Sequence, residues 1–247
     1  MRKLTDIFLD CLFVPRCAVC RERLHTSESG LCENCRRAYN TAKAEYCDVC
    51  GMEASVCRCV PQNLAVNGCV AYRKLVFYKS SVENSVVRGM MYALKRNHAV
   101  GLAAFLAAEL AELVKGTVSE DTVVTYAPRA AFAKQKYGYD QGELLAKHVA
   151  ANLGLDFRRL LTRRRFQSRE QKRLNAAERK KNVRDLFFVR KPQFASAKSI
   201  LLIDDVVTSG ATLGACVGAL YRSGAREVRC LSVAYTVRRK NNKLKKD

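Results

Sequence analysis

The sequence predicts an α/β protein built on a mostly parallel sheet, preceded by a small cysteine-rich module organised by metal. Three observations carry this. Short β-branched runs alternate with helix-period segments from about Asn67 to Tyr235, ten of the twelve cysteines lie between Cys11 and Cys69, and the apolar run Ile200 to Ile203 ends abruptly in two carboxylates. With 247 residues, 49% of them hydrophobic and 27% charged, the chain can bury one ordinary core and carry a smaller attachment. Disorder along the whole length is excluded.

The composition divides into a Cys-rich module over 1–62, the α/β unit over 63–237 and a basic tail over 238–247. The tail holds six Lys or Arg against one Asp and has no apolar face, so it is expected to be mobile. The longest uninterrupted apolar run, Leu102 to Ala108, has seven residues, against the roughly 18–20 a membrane span requires. Arg2 and Lys3 precede an apolar stretch, but Asp6 and Asp10 interrupt it and no small-residue cleavage site follows. The expectation is a cytoplasmic protein that does not itself span the membrane.

In that compartment thiols stay reduced, so the cysteines point to metal rather than to disulfides. Cys17-x-x-Cys20 and Cys32-x-x-Cys35, eleven residues apart, have the spacing of two knuckles that close one tetrahedral thiolate site around zinc. Cys47-x-x-Cys50 with Cys57-x-Cys59 offers a second set. Four sulfurs leave no open coordination position, so one or two structural Zn²⁺ ions would replace the core this module lacks. Spacing leaves open a crossed pairing between the sets, and also a redox pair at one Cys-x-x-Cys, although the strand-then-helix context of such pairs is missing. Cys11, Cys69, Cys216 and Cys230 read as small buried apolar residues.

Within the α/β unit, Val86, Val87, Met90, Met91 and Leu94 recur at helical spacing, and Leu102 to Val114 gives a second helical pattern. Val123 to Tyr126 is a short buried strand that ends in a loop at Pro128. Leu144 to Leu153 is a helix closed by Gly154, and Val228 to Val233 is a strand after the turn at Gly224.

The segment Leu201 to Leu213 is the most informative. A buried strand delivers Asp204 and Asp205, and Thr208-Ser209-Gly210-Ala211-Thr212 then opens a helix. The unpaired N–H groups of a helix start, its dipole and three hydroxyls suit a phosphate, and Gly210 lets the backbone come close. Adjacent acids suit sugar hydroxyls instead. A ribose 5-phosphate satisfies both halves, whereas an ordinary Asp/Thr helix cap would need only one acid.

The formal net charge of +21 creates an attractive field for polyanions, with nucleic acid the leading class. The excess is densest between Arg158 and Lys191, where fourteen basic residues face three acids, with Phe157 just before the run and Phe166, Phe187 and Phe188 interspersed in it. Arg163, Arg164, Arg165, Arg169, Arg179, Lys180 and Lys181 are the candidate nucleic-acid residues. Exposed aromatics would stack bases; buried ones would be core.

The Asp204 to Thr212 segment resembles the phosphoribosyl pyrophosphate (PRPP) signature of type I phosphoribosyltransferases. That resemblance implies Asp204 and Asp205 on the ribose 2- and 3-hydroxyls, Thr208, Ser209, Gly210, Ala211 and Thr212 around the 5-phosphate, and pyrophosphate carried by Mg²⁺ and basic groups, with Pro128 and Arg129 on that side. Over nearly its whole length the chain resembles the ComF competence-protein family: a cysteine block before a phosphoribosyltransferase domain, then Met91-Tyr92-Ala93-Leu94-Lys95-Arg96, Tyr137 to Ala146, and Gln171 to Phe187 with its Glu178 to Val183 core. It departs from the family in having Ala127-Pro128 for Pro-x-Pro and Tyr137-Gly138-Tyr139-Asp140 for Arg-Gly-Phe-Asn. The resemblance implies single-stranded DNA as a partner during natural transformation, and a DNA-uptake helicase or channel at the inner face of the membrane. A conventional salvage or biosynthetic phosphoribosyltransferase would leave the zinc module and the charge excess unassigned, and no nucleobase-specificity element is legible. A non-catalytic PRPP sensor would use the same ribose and phosphate contacts. The sequence assigns no general acid, general base or acceptor.

Overall fold

The structure, a computed structural model, describes residues 15–24, 30–78, 85–96, 99–130, 135, 138–164, 186–196 and 198–236. Cys11, Arg165, Arg169, Arg179, Lys180, Lys181, most of the Gln171 to Phe187 segment and the basic tail lie outside them.

The central sheet comprises β1 (Ala71–Tyr78), β2 (Val123–Tyr126), β3 (Asp156–Phe157), β6 (Ser199–Val207) and β7 (Glu227–Thr236), all parallel, in the order β1-β7-β6-β2-β3. The expected mostly parallel sheet is therefore present. Because successive strand residues face opposite sides, β6 feeds two cores at once. Leu201 and Ile203 pack with Leu231 and Val233 against α3 (Ser85–Arg96), α4 (Val100–Glu112) and α5 (Gln141–Leu153). Ile200 and Leu202 pack with Val228 and Cys230 against α6 (Ala211–Arg222) and the short α2 (Gln62–Ala65). A separate antiparallel ribbon, β4 (Leu161–Arg163) with β5 (Phe187–Val189), joins the second core through Leu161 and Phe187.

Local sequence explains the helices that frame the site. In α4, Leu102, Leu106 and Leu110 recur every fourth residue and are buried together with Ala103, Ala107 and Ala111. The Asp140 carboxylate accepts from Gly142 N at 3.1 Å and starts α5, and Gly154 ends it at φ 67°, a left-handed conformation that glycine adopts without a Cβ penalty. Glu143 on α5 accepts from the Tyr126 hydroxyl of β2 at 2.9 Å and also pairs with Lys147 and Arg159.

The cysteine-rich module docks on this frame. Cys17, Leu31, Cys32, Tyr39 and Ala42, the last two on α1 (Glu33–Lys43), share one apolar cluster with α3 and α4. The Tyr39 hydroxyl donates to Glu109 of α4 at 3.2 Å, and Lys43 pairs with the same carboxylate. From β1, the Arg73 guanidinium donates to Ser55 O at 2.7 Å.

On the other face, α2 lies along α6. Gly210, just before α6, and Gly214 and Gly218 within it recur at four-residue intervals, and this stripe meets the α2 segment. A Cβ at Gly218 would sit 3.0 Å from Asn67 Oδ1, and one at Gly214 would be driven into the Asn63 carbonyl. Glycine inside a helix costs about 1 kcal/mol relative to alanine, so the sequence accepts poor helix propensity to admit this neighbour. Gly214→Ala should therefore lower stability by about 1–2 kcal/mol in chemical denaturation, because overpacking against backbone outweighs the propensity gain. A variant more stable than the parent would contradict the close seat.

Candidate functional site

The first and second cysteine sets are each closed within themselves, not crossed. The Sγ atoms of Cys17, Cys20, Cys32 and Cys35 lie within 4.8 Å of one another, as do those of Cys47, Cys50, Cys57 and Cys59. Cys20 to Cys32 and Cys50 to Cys57 are each 3.5 Å apart, close to the roughly 3.8 Å edge of a tetrahedron with 2.3 Å zinc–sulfur bonds. Burial would raise the thiols, but the N–H groups of Cys20, Cys32 and Val19 bring Cys17 down to about 7. Against the same opposing burial, the Cys59 amide, the Lys74 ammonium and Cys50 bring Cys57 down to about 6. Burial and the neighbouring sulfurs push Cys32, Cys35 and Cys59 up instead, so it is the four-sulfur geometry of each set that fits a structural zinc ion, whose charge would favour the thiolates it binds. Lys74 is fully buried on β1, with its ammonium 5.3 Å from the Tyr72 and Phe77 ring centres and 3.5 Å from Cys57 O. It places a positive charge beside the second thiolate set. Cys69, Cys216 and Cys230 are buried, as their reading as small apolar residues expects.

The second site is a cleft of about 310 Å³ at the carboxyl ends of β2 and β6, where parallel sheets bind ligands. Lys95, Pro128, Arg129, Asp140, Gln141, Arg163, Asp204, Asp205 and Thr212 line it. Both acids lie inside β6, not after it, so alternation sends them to opposite faces. Asp205 turns toward α3 and α5: its Oδ2 accepts from Gln141 Nε2 at 2.9 Å and lies 3.5 Å from Lys95 Nζ. Asp204 turns toward α6, where its charge helps raise the buried Cys216 and Cys230 thiols. Its Oδ1 accepts from Asp205 N at 2.9 Å. Burial, and then the neighbouring Asp205 charge, push the Asp204 carboxyl well above the usual carboxylate range.

Beyond β6 the turn exposes Thr208, Ser209 and Thr212 and buries Gly210 at φ 76°. Gly210 has no side chain to cap α6; among the described residues only Ser209 Oγ reaches Ala211 N, at 3.4 Å. The first-turn amides of α6 are thus presented to an incoming anion. Across the cleft Asp140 accepts from Arg129 N at 3.1 Å while it starts α5, which fixes the Pro128–Arg129 loop to the helix bearing Gln141.

Of the residues the sequence singled out for PRPP, the structure brings Asp204, Asp205, Thr212, Pro128 and Arg129 around one cleft, with Thr208, Ser209, Gly210 and Ala211 in the adjoining turn. Arg163, singled out for nucleic acid, also reaches that cleft. Its guanidinium lies 5.7 Å from the Phe187 ring centre, and that of Arg164 lies 5.5 Å from Phe188. Phe187 is core, so it is not a stacking platform for bases. Sequence reasoning gave no role to Lys95, Gln141 or Asp140. The first sits in the Met91 to Arg96 segment and the other two in Tyr137 to Ala146, whose match to a family was the available signal.

Architecture and sites together define a double zinc ribbon joined to a parallel α/β domain with an acid-and-amide cleft at its strand ends. A double zinc ribbon domain family matches residues 8–69. Competence protein F of Haemophilus influenzae is 24% identical over 230 residues, covering 89% of this chain and 96% of that protein. The DNA utilization protein YhgH of Escherichia coli K12 is 24% identical over 225 residues, covering 90% and 97%. The chain is thus a homologue of competence protein F and the YhgH proteins. Among solved structures, the glutamine PRPP amidotransferase of B. subtilis superposes at TM-score 0.40 and 21% identity, over 54% of this chain and 26% of that one. The purine phosphoribosyltransferase of Pyrococcus horikoshii superposes at 0.33 and 16%, over 56% and 81%. Among the described residues no helix is long and apolar enough to cross a membrane.

The raised Asp204 carboxyl has a measurable consequence. Its folded pKa exceeds the ordinary 3.8, so the folded state holds that proton more tightly and loses stability as pH rises above about 4 toward the raised value. Asp204→Asn keeps the acceptor for Asp205 N and removes the half-buried charge. It should melt a few degrees above the parent at pH 7 and converge with it near pH 4. Equal melting at both pH values would refute the burdened carboxylate.

Proposed function

We propose that this protein binds PRPP with Mg²⁺ in the cleft and single-stranded DNA on the basic surface beside it, and that it acts on DNA entering during natural transformation. One observation carries the reading: a carboxylate pair, an uncapped helix start and the cations Lys95, Arg129 and Arg163 converge on one cleft. The α6 amides and the Thr208, Ser209 and Thr212 hydroxyls would hold the 5-phosphate, and Asp204 and Asp205 the ribose hydroxyls. Arg129, Lys95 and Arg163 would face the pyrophosphate.

The carboxylate oxygens are of the type Mg²⁺ takes, and Lys95 already offsets part of the Asp205 charge. The residues therefore fit an ion shared with the ligand's phosphates better than an all-protein cage. When bound, the ion would neutralise pyrophosphate charge. The chain's own groups bind and orient; Asp140, the other cleft carboxylate, has each oxygen occupied by a backbone N–H and receives no proton-transfer role.

The DNA half of the reading is supported by the names of the relatives, competence protein F and DNA utilization protein, and by the +21 net charge. Arg163, a member of the basic run, lines the cleft, so strand and sugar phosphate would lie side by side. A cytoplasmic station near an uptake helicase or channel fits this role.

Calorimetric titration with PRPP and Mg²⁺, and fluorescence titration with a labelled oligonucleotide, test both halves. The parent should bind both ligands, and Asp204→Ala with Asp205→Ala should abolish PRPP binding while oligonucleotide binding persists. If about six charges neutralise strand phosphates, log affinity should fall against log salt with a slope of about −4, and charge reversal at Arg163, Arg164 and Arg165 should flatten it. Unchanged PRPP affinity in the double variant, or a salt-independent oligonucleotide affinity, would refute the corresponding half.

A further inference from the structure

The zinc module and the cleft meet at a place neither reading assigns. Cys57 and Cys59 supply the last two thiolates of the second site, and Pro61 caps α2 two residues later. Asn63 on α2 then reaches across 146 residues of sequence, its Nδ2 donating to Ser209 O at 2.7 Å. Leu64 is fully buried beneath the same turn, and a Cβ at Gly210 would sit 2.5 Å from Leu64 Cδ1. The segment continues along α6: Asn67 Nδ2 donates to Asn63 O at 2.7 Å, and the Tyr221 hydroxyl donates to Gly68 O at 2.8 Å. Beyond it the chain enters β1, where Arg73 and Lys74 return to Ser55 and Cys57. The segment is thus fixed at one end by the second thiolate cluster and at the other by the sheet.

We infer that Asn63 is a positioning residue for the anion turn, and that zinc at the second site sets the turn's affinity for a phosphate monoester by holding α2 against it. Three physical facts support this. The Ser209 carbonyl shares one peptide plane with the Gly210 N–H, so fixing it orients that N–H and the start of α6. The turn's outer residues Thr208, Ser209 and Thr212 are exposed, so they supply little packing of their own to keep its shape. The glycines of α6 are cut away to admit this segment, whose seat is therefore specified and not incidental. Preorganised amides bind more tightly than amides that must be ordered by the ligand.

This inference rests on the reading of the cleft as a sugar-phosphate site, so its test has one arm that needs no ligand. The full-length, zinc-loaded chain is compared with Asn63→Ala, Cys59→Ser and Tyr221→Phe, the last removing a bond of the same segment at the far end of α6. Asn63→Ala should keep its zinc content and bind ribose 5-phosphate about three- to ten-fold more weakly in calorimetry, whereas Tyr221→Phe should bind it as the parent does. Amide hydrogen exchange without ligand should accelerate over residues 209–214 in Asn63→Ala, and more so in Cys59→Ser, whose zinc content should fall by one ion. Parent-like exchange in Asn63→Ala overturns the inference, as does an equal loss of affinity in Tyr221→Phe. If the parent itself fails to bind ribose 5-phosphate, the functional reading of the cleft falls, and the exchange arm alone decides the coupling.

Discussion

Two carboxylates held next to each other at the end of a buried strand are the constraint around which this molecule is arranged. Neither burial nor proximity favours two charges there. The fold separates them by the pleat of β6, hands Asp205 to Lys95 and Gln141, and leaves Asp204 as an acceptor for one amide and otherwise burdened. Gln141 Oε1, buried in the same cleft, has no hydrogen-bond partner among the described residues. A pocket that keeps an excess acid and an unused acceptor beside uncapped amides would suit a ligand that brings both hydroxyl donors and phosphate oxygens, as proposed above.

The zinc ribbons enter this account as part of the wall, not as an appendage. The first set packs its knuckles into the apolar layer of α3 and α4, where Gly89 is held against Val19 and Gly30 against the start of Leu102. The second set sits between β1 and the segment that carries α2. Small thiolate modules commonly owe their fold to metal. Here that metal would also set one edge of the α/β domain, since Lys74, fully buried, has its charge matched to the cluster rather than to a carboxylate.

Much of this was legible in the sequence. The cysteine sets were readable because ligand spacing is local, and β2 matched its expected span of Val123 to Tyr126 because a β-branched run before proline admits few alternatives. The helix after Asp140 was expected only from Leu144; its first turn is polar, Gln141 to Glu143, and is buried by partners far away in the chain. The acid pair and the hydroxyl-rich turn after it could be located because strand, acids, hydroxyls and glycine are contiguous. Lys95 and Gln141 could not be placed in the cleft from periodicity, since their roles arise where α3 and α5 end against β6. Asn63 carried no signal at all: its partner is 146 residues away. Phe187 reads equally as a base-stacking ring or as core, and only packing on Leu161 and α6 decides for core.

The central claim, that the α6 start and the β6 acids grip one sugar phosphate, is tested most directly by nuclear magnetic resonance of isotope-labelled protein titrated with ribose 5-phosphate and Mg²⁺. The largest amide shifts are expected at Gly210, Ala211 and Thr212, accompanied by changes at the Asp204 and Asp205 side chains and saturating together with them. Saturable shifts confined to other surfaces, with those amides and both carboxylates unmoved, would contradict it.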